Sequence, residues 1–278
     1  MTRRIAYLPL ATYPEAIADE AIRAAAAFAG PLGCALSATT FEVDLPRTTS
    51  VLGDLLIDIP GLVQANEERS RAECHRLQGL IGGVAASHLD VQCTARKVAW
   101  GLELDDAAAE ARYFDLALLP WSGETTAAQD MAQVVVFGSG RPAILVPPTA
   151  RPAPLEHIVI AWDGSRVAAR ALGDALPFLA EGGLISVLTV RDEKPLSGSD
   201  LAGALASSLL KRGFNAKPLE TTLGKRTIAE ALQDTAQSNG AQLLAMGGFG
   251  HSRVRDFVLG GATKGILTQL RLPILLSH

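Results

Sequence analysis

Cysteine is scarce in this 278-residue chain: Cys34, Cys74 and Cys93 are odd in number and widely spaced. That argues against a disulfide framework and for a reducing, cytoplasmic setting. A basic excess is missing too. The formal net charge is −4, whereas general nucleic-acid binding normally needs a basic face, so no nucleic-acid partner is expected. No apolar run approaches the roughly 18 residues of a membrane helix, so no membrane partner is expected either. The opening MTRRIAYLPLATYPEA carries an arginine pair, but Pro9, Pro14 and Glu15 interrupt the apolar core that an export signal would need. It reads instead as a first strand, Ile5 to Leu10.

Familiar catalytic signatures are absent as well. There is no G-x-x-x-x-G-K-[ST] phosphate loop, and no Ser–His–Asp order stands out. Gly138, Gly140 and Ala143 meet a G-x-G-x-x-A spacing, but Pro142 and a strand follow where a dinucleotide fold needs a helix. Cys74 and His75 are neighbours on an expected helix, where they diverge by about 100°. With no C-x-x-C and no His pair at ligand spacing, no metal site is expected, and packing is the expected role of the cysteines.

What is present is an alternation. Pro147, Pro148, Pro152 and Pro154 mark a linker, Val146 to His157, that splits the chain nearly in half. After it come HIVIAW as a strand, RVAARALGDALPFLA as a helix with Ala168, Ala171, Leu172, Ala175, Leu176 and Leu179 at helical spacing, and GGLISVLTV as a second strand. The helix LAGALASSLLKRG ends at Gly213, and NAKPLETTL is a strand whose Pro218 predicts an edge. RTIAEALQDTAQSNG, AQLLAMGG, ATKGILTQL and LPILLSH continue as helix, strand, helix and strand. The first half repeats the plan more loosely, through RIAYLPL, EAIADEAIRAAAAFAG, CALSATTFEV, a long helix around NEERSRAECHRLQGLIGGV, DVQCTARKVA, DDAAAEARYFD, LALLPW and PAILVPP. The order predicts an α/β protein of two tandem doubly wound domains, 1–148 and 155–278, each with a parallel sheet covered on both faces.

In such a sheet a ligand sits beyond the carboxyl ends of the strands, where strand order reverses. In the second half the first strand ends in Asp163-Gly164-Ser165 and the fourth in Gly247-Gly248-Phe249-Gly250, so the two most distinctive loops face one crevice. Glycines let backbone N–H groups turn toward phosphate oxygens. Gly260, Gly261, Ala262 and Thr263 open a helix, whose N-terminus favours an anion. His251, Ser252, Arg253 and Lys264 add donors or countercharge, and Asp163 can accept from ribose or an adenine amino group. Each piece also has a plainer reading: Asp163 or Ser165 as a helix cap, the glycines as tight turns, Thr263 as a cap, the arginines as solvated surface.

These residues resemble the universal stress proteins, in the tandem form with two such domains in one chain. The family pattern G-x2-G-x9-G, followed by Ser or Thr, is met in its glycines by Gly247, Gly250 and Gly260, with Asp163 after the first strand. The likeness is strong from Leu155 to His278 and rests on element order before that. It implies five-stranded parallel sheets of order 3-2-1-4-5. It also implies an ATP or AMP site in which Asp163 contacts the base or ribose, the backbone near Val190 contacts the base, and the glycine loop holds the phosphates. Any metal ion would accompany the nucleotide. Pairing through the last strands is implied as well, in a homodimer or within the tandem chain. Gly261 departs from the family's Ser or Thr, and the first half lacks both the Asp and the G-x2-G, so the site is expected in the second half alone.

Three functions follow as alternatives: a nucleotide-binding stress-response regulator with slow or absent turnover, a nucleotide-free interaction scaffold, and an ATP hydrolase or transferase, for which no general base is evident. Trp100 and Trp121 are expected to fill core. The apolar segment Ser50 to Val63 either plugs the first half's crevice, lines a pocket for an apolar ligand, or makes a partner surface.

Overall fold

The computed structural model describes residues 3–15, 17–46, 58–85, 89–121, 126–192, 200–248, 265–266 and 268–278. The first half contains β1 (Arg4–Ala11), α1 (Asp19–Phe28), β2 (Cys34–Asp44), α2 (Ile59–Ala85), β3 (Val91–Ala99), α3 (Glu103–Ala111), β4 (Leu116–Pro120), α4 (Thr126–Gly138) and β5 (Ala143–Val146). The second contains β6 (Leu155–Ala161), α5 (Arg166–Ala175), β7 (Leu179–Val190), α6 (Leu201–Lys211), β8 (Asn215–Thr221), α7 (Ile228–Ser238), β9 (Leu243–Gly247) and β10 (Ile274–Ser277).

The described strands form one ten-stranded sheet, ordered β3-β2-β1-β4-β5-β10-β9-β6-β7-β8. Neighbours are parallel except at the centre, where β5 and β10 run antiparallel with Ile274 opposite Leu145, Leu275 opposite Ile144 and Leu276 opposite Ala143. Sequence reading expected two sheets. The last strands of the two runs join them into one, the pairing that the resemblance allows within a tandem chain, because β5 and β10 are short, apolar and buried on both faces and can satisfy their outer backbone groups on each other. Strand β8 lies at the edge, as Pro218 predicts.

Alternation along the strands divides the core between the two faces of the sheet. In β1, Ala6, Leu8 and Leu10 join the layer packed with Ile22, Ala25 and Leu77 from α1 and α2. Tyr7 and Ala11 face the opposite layer, with Ala107 and Ala111 of α3 and Val135 of α4. In that layer Tyr7 stacks on Phe114, ring centroids 4.8 Å apart, and its hydroxyl donates to Glu110 Oε2 at 2.9 Å. Helix boundaries follow local chemistry. The Thr227 side chain accepts from Glu230 N while the Glu230 carboxylate accepts from Thr227 N, a reciprocal cap that starts α7.

Three details differ from the sequence reading. Helix α5 stops at Ala175, since Pro177 lies in the 3-10 turn Leu176–Phe178, and Leu179 begins β7 rather than closing a helical stripe. Helix α4 is additional. Its run Val134-Val135-Val136-Phe137 has strand-like composition, yet Met131, Ala132, Val135 and Val136 form one buried helical face. Helix α2 starts at Ile59, with Asp58 Oδ1 accepting from Gly61 N at 2.9 Å, so Ile59 to Val63 belong to its first turns rather than to a connection.

Candidate functional site

Strands β6 and β9 lie side by side and parallel, with Ile158 opposite Leu243 and Ile160 opposite Ala245. The loops leaving them therefore emerge at the same edge of the sheet. From β6 the strand order continues to β7 on one side, while β9 and β10 lie on the other, so the order reverses between β6 and β9. Crevices for ligands form at such points in open α/β sheets.

The wall after β6 is built by its own turn. Gly164 has φ +77°, which a glycine adopts without strain, and Asp163 Oδ1 accepts from Ser165 N at 2.9 Å. Ser165 then caps α5, its Oγ accepting from Ala168 N at 3.2 Å. The cap reading of Ser165 holds, and Asp163 stands half-buried in the turn that leaves β6. Trp162 is tied down beside it: its N–H donates to Leu188 O at 2.7 Å, and its carbonyl accepts from Thr189 Oγ1 at 2.9 Å. Two residues further along β7, Val190 is buried, in register with Thr221 of β8.

The wall after β9 begins with two glycines that have different reasons. A Cβ on Gly247 would stand 2.6 Å from Val167 Cγ2 and 2.7 Å from the Val167 carbonyl carbon, so this position admits no side chain unless α5 shifts. Gly248 is buried, and its N–H donates to Ser277 O at 2.7 Å. The structure thus brings Asp163, Gly247 and Gly248 to one sheet edge, with Val190 at the end of the neighbouring strand. Gly250, His251, Ser252, Gly260, Gly261, Ala262 and Thr263 lie outside the described residues.

Sequence reasoning missed two groups here, Phe137 of α4 and His278. The His278 Nδ1–H donates to Gly248 O at 3.0 Å, and the Phe137 ring meets the His278 ring edge-on and faces the open side of the same glycine. No local pattern signals either contact, because the His278 contact depends on β10 lying beside β9 and the Phe137 contact on the pairing of β5 with β10.

The matching point of the first half, between β1 and β4, is built differently. Trp121 follows β4 as Gly248 follows β9, and its N–H donates to Val146 O at 2.9 Å. The residue is 2% exposed, and among the described residues its indole N–H has no hydrogen-bond partner. Trp121 fills core as expected, but Trp100 does not: it is 54% exposed in the turn after β3. Trp100, Tyr13, Leu45, Ile59, Leu62 and Asn66 border a cavity of about 250 Å³. Ile59 and Leu62 come from the Ser50 to Val63 segment, whose residues 50–57 lie outside the described residues.

Among the described residues no group of three His, Cys, Asp or Glu side chains is placed to hold a metal ion, and no helix is long and apolar enough to cross a membrane.

Comparison with known proteins bears on the second half first. Residues 154–278 match the universal stress protein family. The universal stress protein Slr1230 of Synechocystis sp. is 30% identical over 128 residues, which cover 44% of this chain and 42% of that protein. The chain thus spans less than half the length of this curated relative. Some solved structures of similar fold cover nearly the whole chain. A universal stress protein from Archaeoglobus fulgidus DSM 4304 is 13% identical with a TM-score of 0.66, covering 98% of this chain and 97% of the other. A functionally unknown protein of Pseudomonas aeruginosa PAO1 is 14% identical with a TM-score of 0.52, covering 98% and 92%. At these identities the likeness is one of fold. The family match thus rests on the C-terminal half: residues 154–278 carry a universal stress protein domain.

Proposed function

We propose that residues 154–278 bind an adenine nucleotide, ATP or AMP, in the crevice between β6 and β9, and that the chain is a cytoplasmic regulatory protein of the stress response. The observation that supports the reading is that Asp163 on one side and Gly247 and Gly248 on the other stand at the ends of neighbouring parallel strands where the strand order reverses. Asp163 and the backbone near Val190 take the base and ribose. Gly247, Gly248, Gly250, His251, Ser252 and the helix-opening stretch Gly260 to Thr263 take the phosphates. A metal ion enters only with the nucleotide. Turnover is slow or absent, since Asp163 belongs to the base end and no other residue is an evident base for attack on a γ-phosphate.

The same reading takes 1–148 and 155–278 as two five-stranded units paired within one chain through β5 and β10. The first unit is degenerate, with Trp121 where the second carries Gly248.

A nucleotide-free scaffold is the second reading, and one observation favours it: packing on Val167 accounts for Gly247 and capping accounts for Ser165 without any ligand. Calorimetric titration of the full chain with ATP separates the two. The nucleotide reading expects saturable binding that Asp163→Ala weakens by about tenfold, the size of one lost charged hydrogen bond. Heat of dilution alone in the unaltered protein favours the scaffold.

A further inference from the structure

Gly248 is held by groups from both halves of the chain. On its own side the N–H donates to Ser277 O at 2.7 Å and the carbonyl accepts from His278 Nδ1 at 3.0 Å. From the other half comes Phe137, in the last turn of α4. A Cβ on Gly248 would stand 3.4 Å from its Cε1 and 3.8 Å from its Cζ, so the ring faces the glycine's open side across about the space of one methyl group. The same ring meets the His278 imidazole edge-on, with centroids 5.2 Å apart and planes at 84°. A few residues beyond Phe137, the Gly140 carbonyl accepts from Arg170 Nη2 of α5 at 3.0 Å, and Arg170 Nε donates to Asp174 at 3.0 Å. The end of α4 is therefore fastened to the helix whose first turn carries Val167, the wall of Gly247.

We infer that Phe137 is a positioning residue for the crevice of the C-terminal half: packed edge-on against His278 and facing the open side of Gly248, it holds the His278 ring on the Gly248 carbonyl and so steadies the backbone at the end of β9. The inference rests on the nucleotide reading above. A glycine at a strand end has more backbone freedom to lose than any other residue. Two backbone-directed hydrogen bonds and one aromatic wall remove that freedom before a ligand arrives, and preorganisation of this kind appears as affinity. An aromatic contact suits the task because its edge-on geometry is directional as well as apolar. The arrangement also gives the first half a role although its own crevice lacks the motif. The asymmetry with Trp121 supports this, because there the residue after the fourth strand is itself a buried aromatic.

The test uses the full chain, ATP as probe, and Phe137→Ala, Phe137→Leu and Val135→Ala. Val135 is fully buried on the same helix and serves as a control for lost packing. Phe137→Ala is expected to weaken ATP by about tenfold and Phe137→Leu, which keeps an apolar side chain without the ring, by less. Val135→Ala is expected to lower stability and leave ATP affinity unchanged. In nucleotide-free protein the Gly248 amide and His278 imidazole nitrogen resonances should shift in Phe137→Ala and not in Val135→Ala. Should Phe137→Ala fail to fold, the Leu variant carries the comparison. Unchanged ATP affinity in the Phe137 variants, or an equal loss in Val135→Ala, overturns the inference while leaving the nucleotide reading intact. An unaltered protein that binds no ATP overturns both.

Discussion

Gly247 and Val167 stand so close that the end of β9 and the first turn of α5 share a surface with no room for a methyl group: a Cβ on Gly247 would lie 2.6 Å from Val167 Cγ2 and 2.7 Å from a Val167 backbone atom. Backbone on that side cannot yield as a flexible side-chain tip would. Gly247→Ala is therefore expected to cost roughly 1–3 kcal/mol of stability, the range for overpacking. Gly248→Ala should stay within about 0.5 kcal/mol, since its Cβ would make an ordinary contact with Phe137 at 3.4 Å. Urea unfolding of the two variants measures the difference, and equal costs would refute the assignment of separate roles.

Ser165 offers a second check on the same edge. Its hydroxyl accepts from Ala168 N, leaving α5 without that cap when the oxygen is removed. Ser165→Ala should lower stability by about 1 kcal/mol, and Ser165→Asp should restore most of it, as read by thermal or urea unfolding.

The joint between the halves is testable at Leu275. It is fully buried opposite Ile144 in the β5–β10 ladder. Leu275→Ala is expected to cost roughly 2–5 kcal/mol, as for other buried leucines. If the halves unfold in separate steps in this variant but together in the unaltered chain, the ladder is what couples them. A cost below 1 kcal/mol, on the scale of a surface change, would contradict the continuous sheet.

His157 predicts a pH dependence. Burial first, and then Lys217, holds its imidazole below the ordinary value of 6.5, and its Nε2 lies 2.8 Å from Ser186 Oγ. The unfolded chain thus takes up the proton at higher pH than the folded one. The contribution of this group is full above the unfolded value and is lost as pH falls below it toward the folded value. Urea midpoints should drop between pH 7.5 and pH 5.5, two buffers chosen to bracket about 6.5, and the drop should shrink in His157→Gln. An identical drop in the variant would assign the effect to other groups.

Burial also pushes the Cys34 thiol up to about 11 and raises those of Cys74 and Cys93. Native protein at neutral pH should alkylate slowly at Cys34 and Cys74, which are buried, and the rate should rise on unfolding. Rapid modification of either in the native state would contradict the packing role.

Much of this architecture is legible in the sequence because parallel strands buried on both faces read as continuous apolar runs. Val159, Leu244 and Leu275 sit in such runs and are all fully buried. Pro218 likewise announces an edge by lacking a donor. Helix α4 is not legible, since Val134 to Phe137 has strand composition and its helical face is revealed only by the neighbours it packs against. Pro177 shows the reverse: the helical spacing of Leu179 was a coincidence that the proline overrode. At the site, Asp163 and Gly247 are visible from motif and order. Phe137 is invisible, because its partners Gly248 and His278 are brought to it only by strand pairing between the halves.

The central claim is that the C-terminal half holds an adenine nucleotide, and its most direct test is mass spectrometry of the small molecules released on denaturing freshly purified protein, beside an Asp163→Ala, Gly250→Val double variant. ATP or AMP is expected from the unaltered protein and none from the variant. Nucleotide released equally by both, or an empty native protein that also fails to bind added ATP, would contradict it.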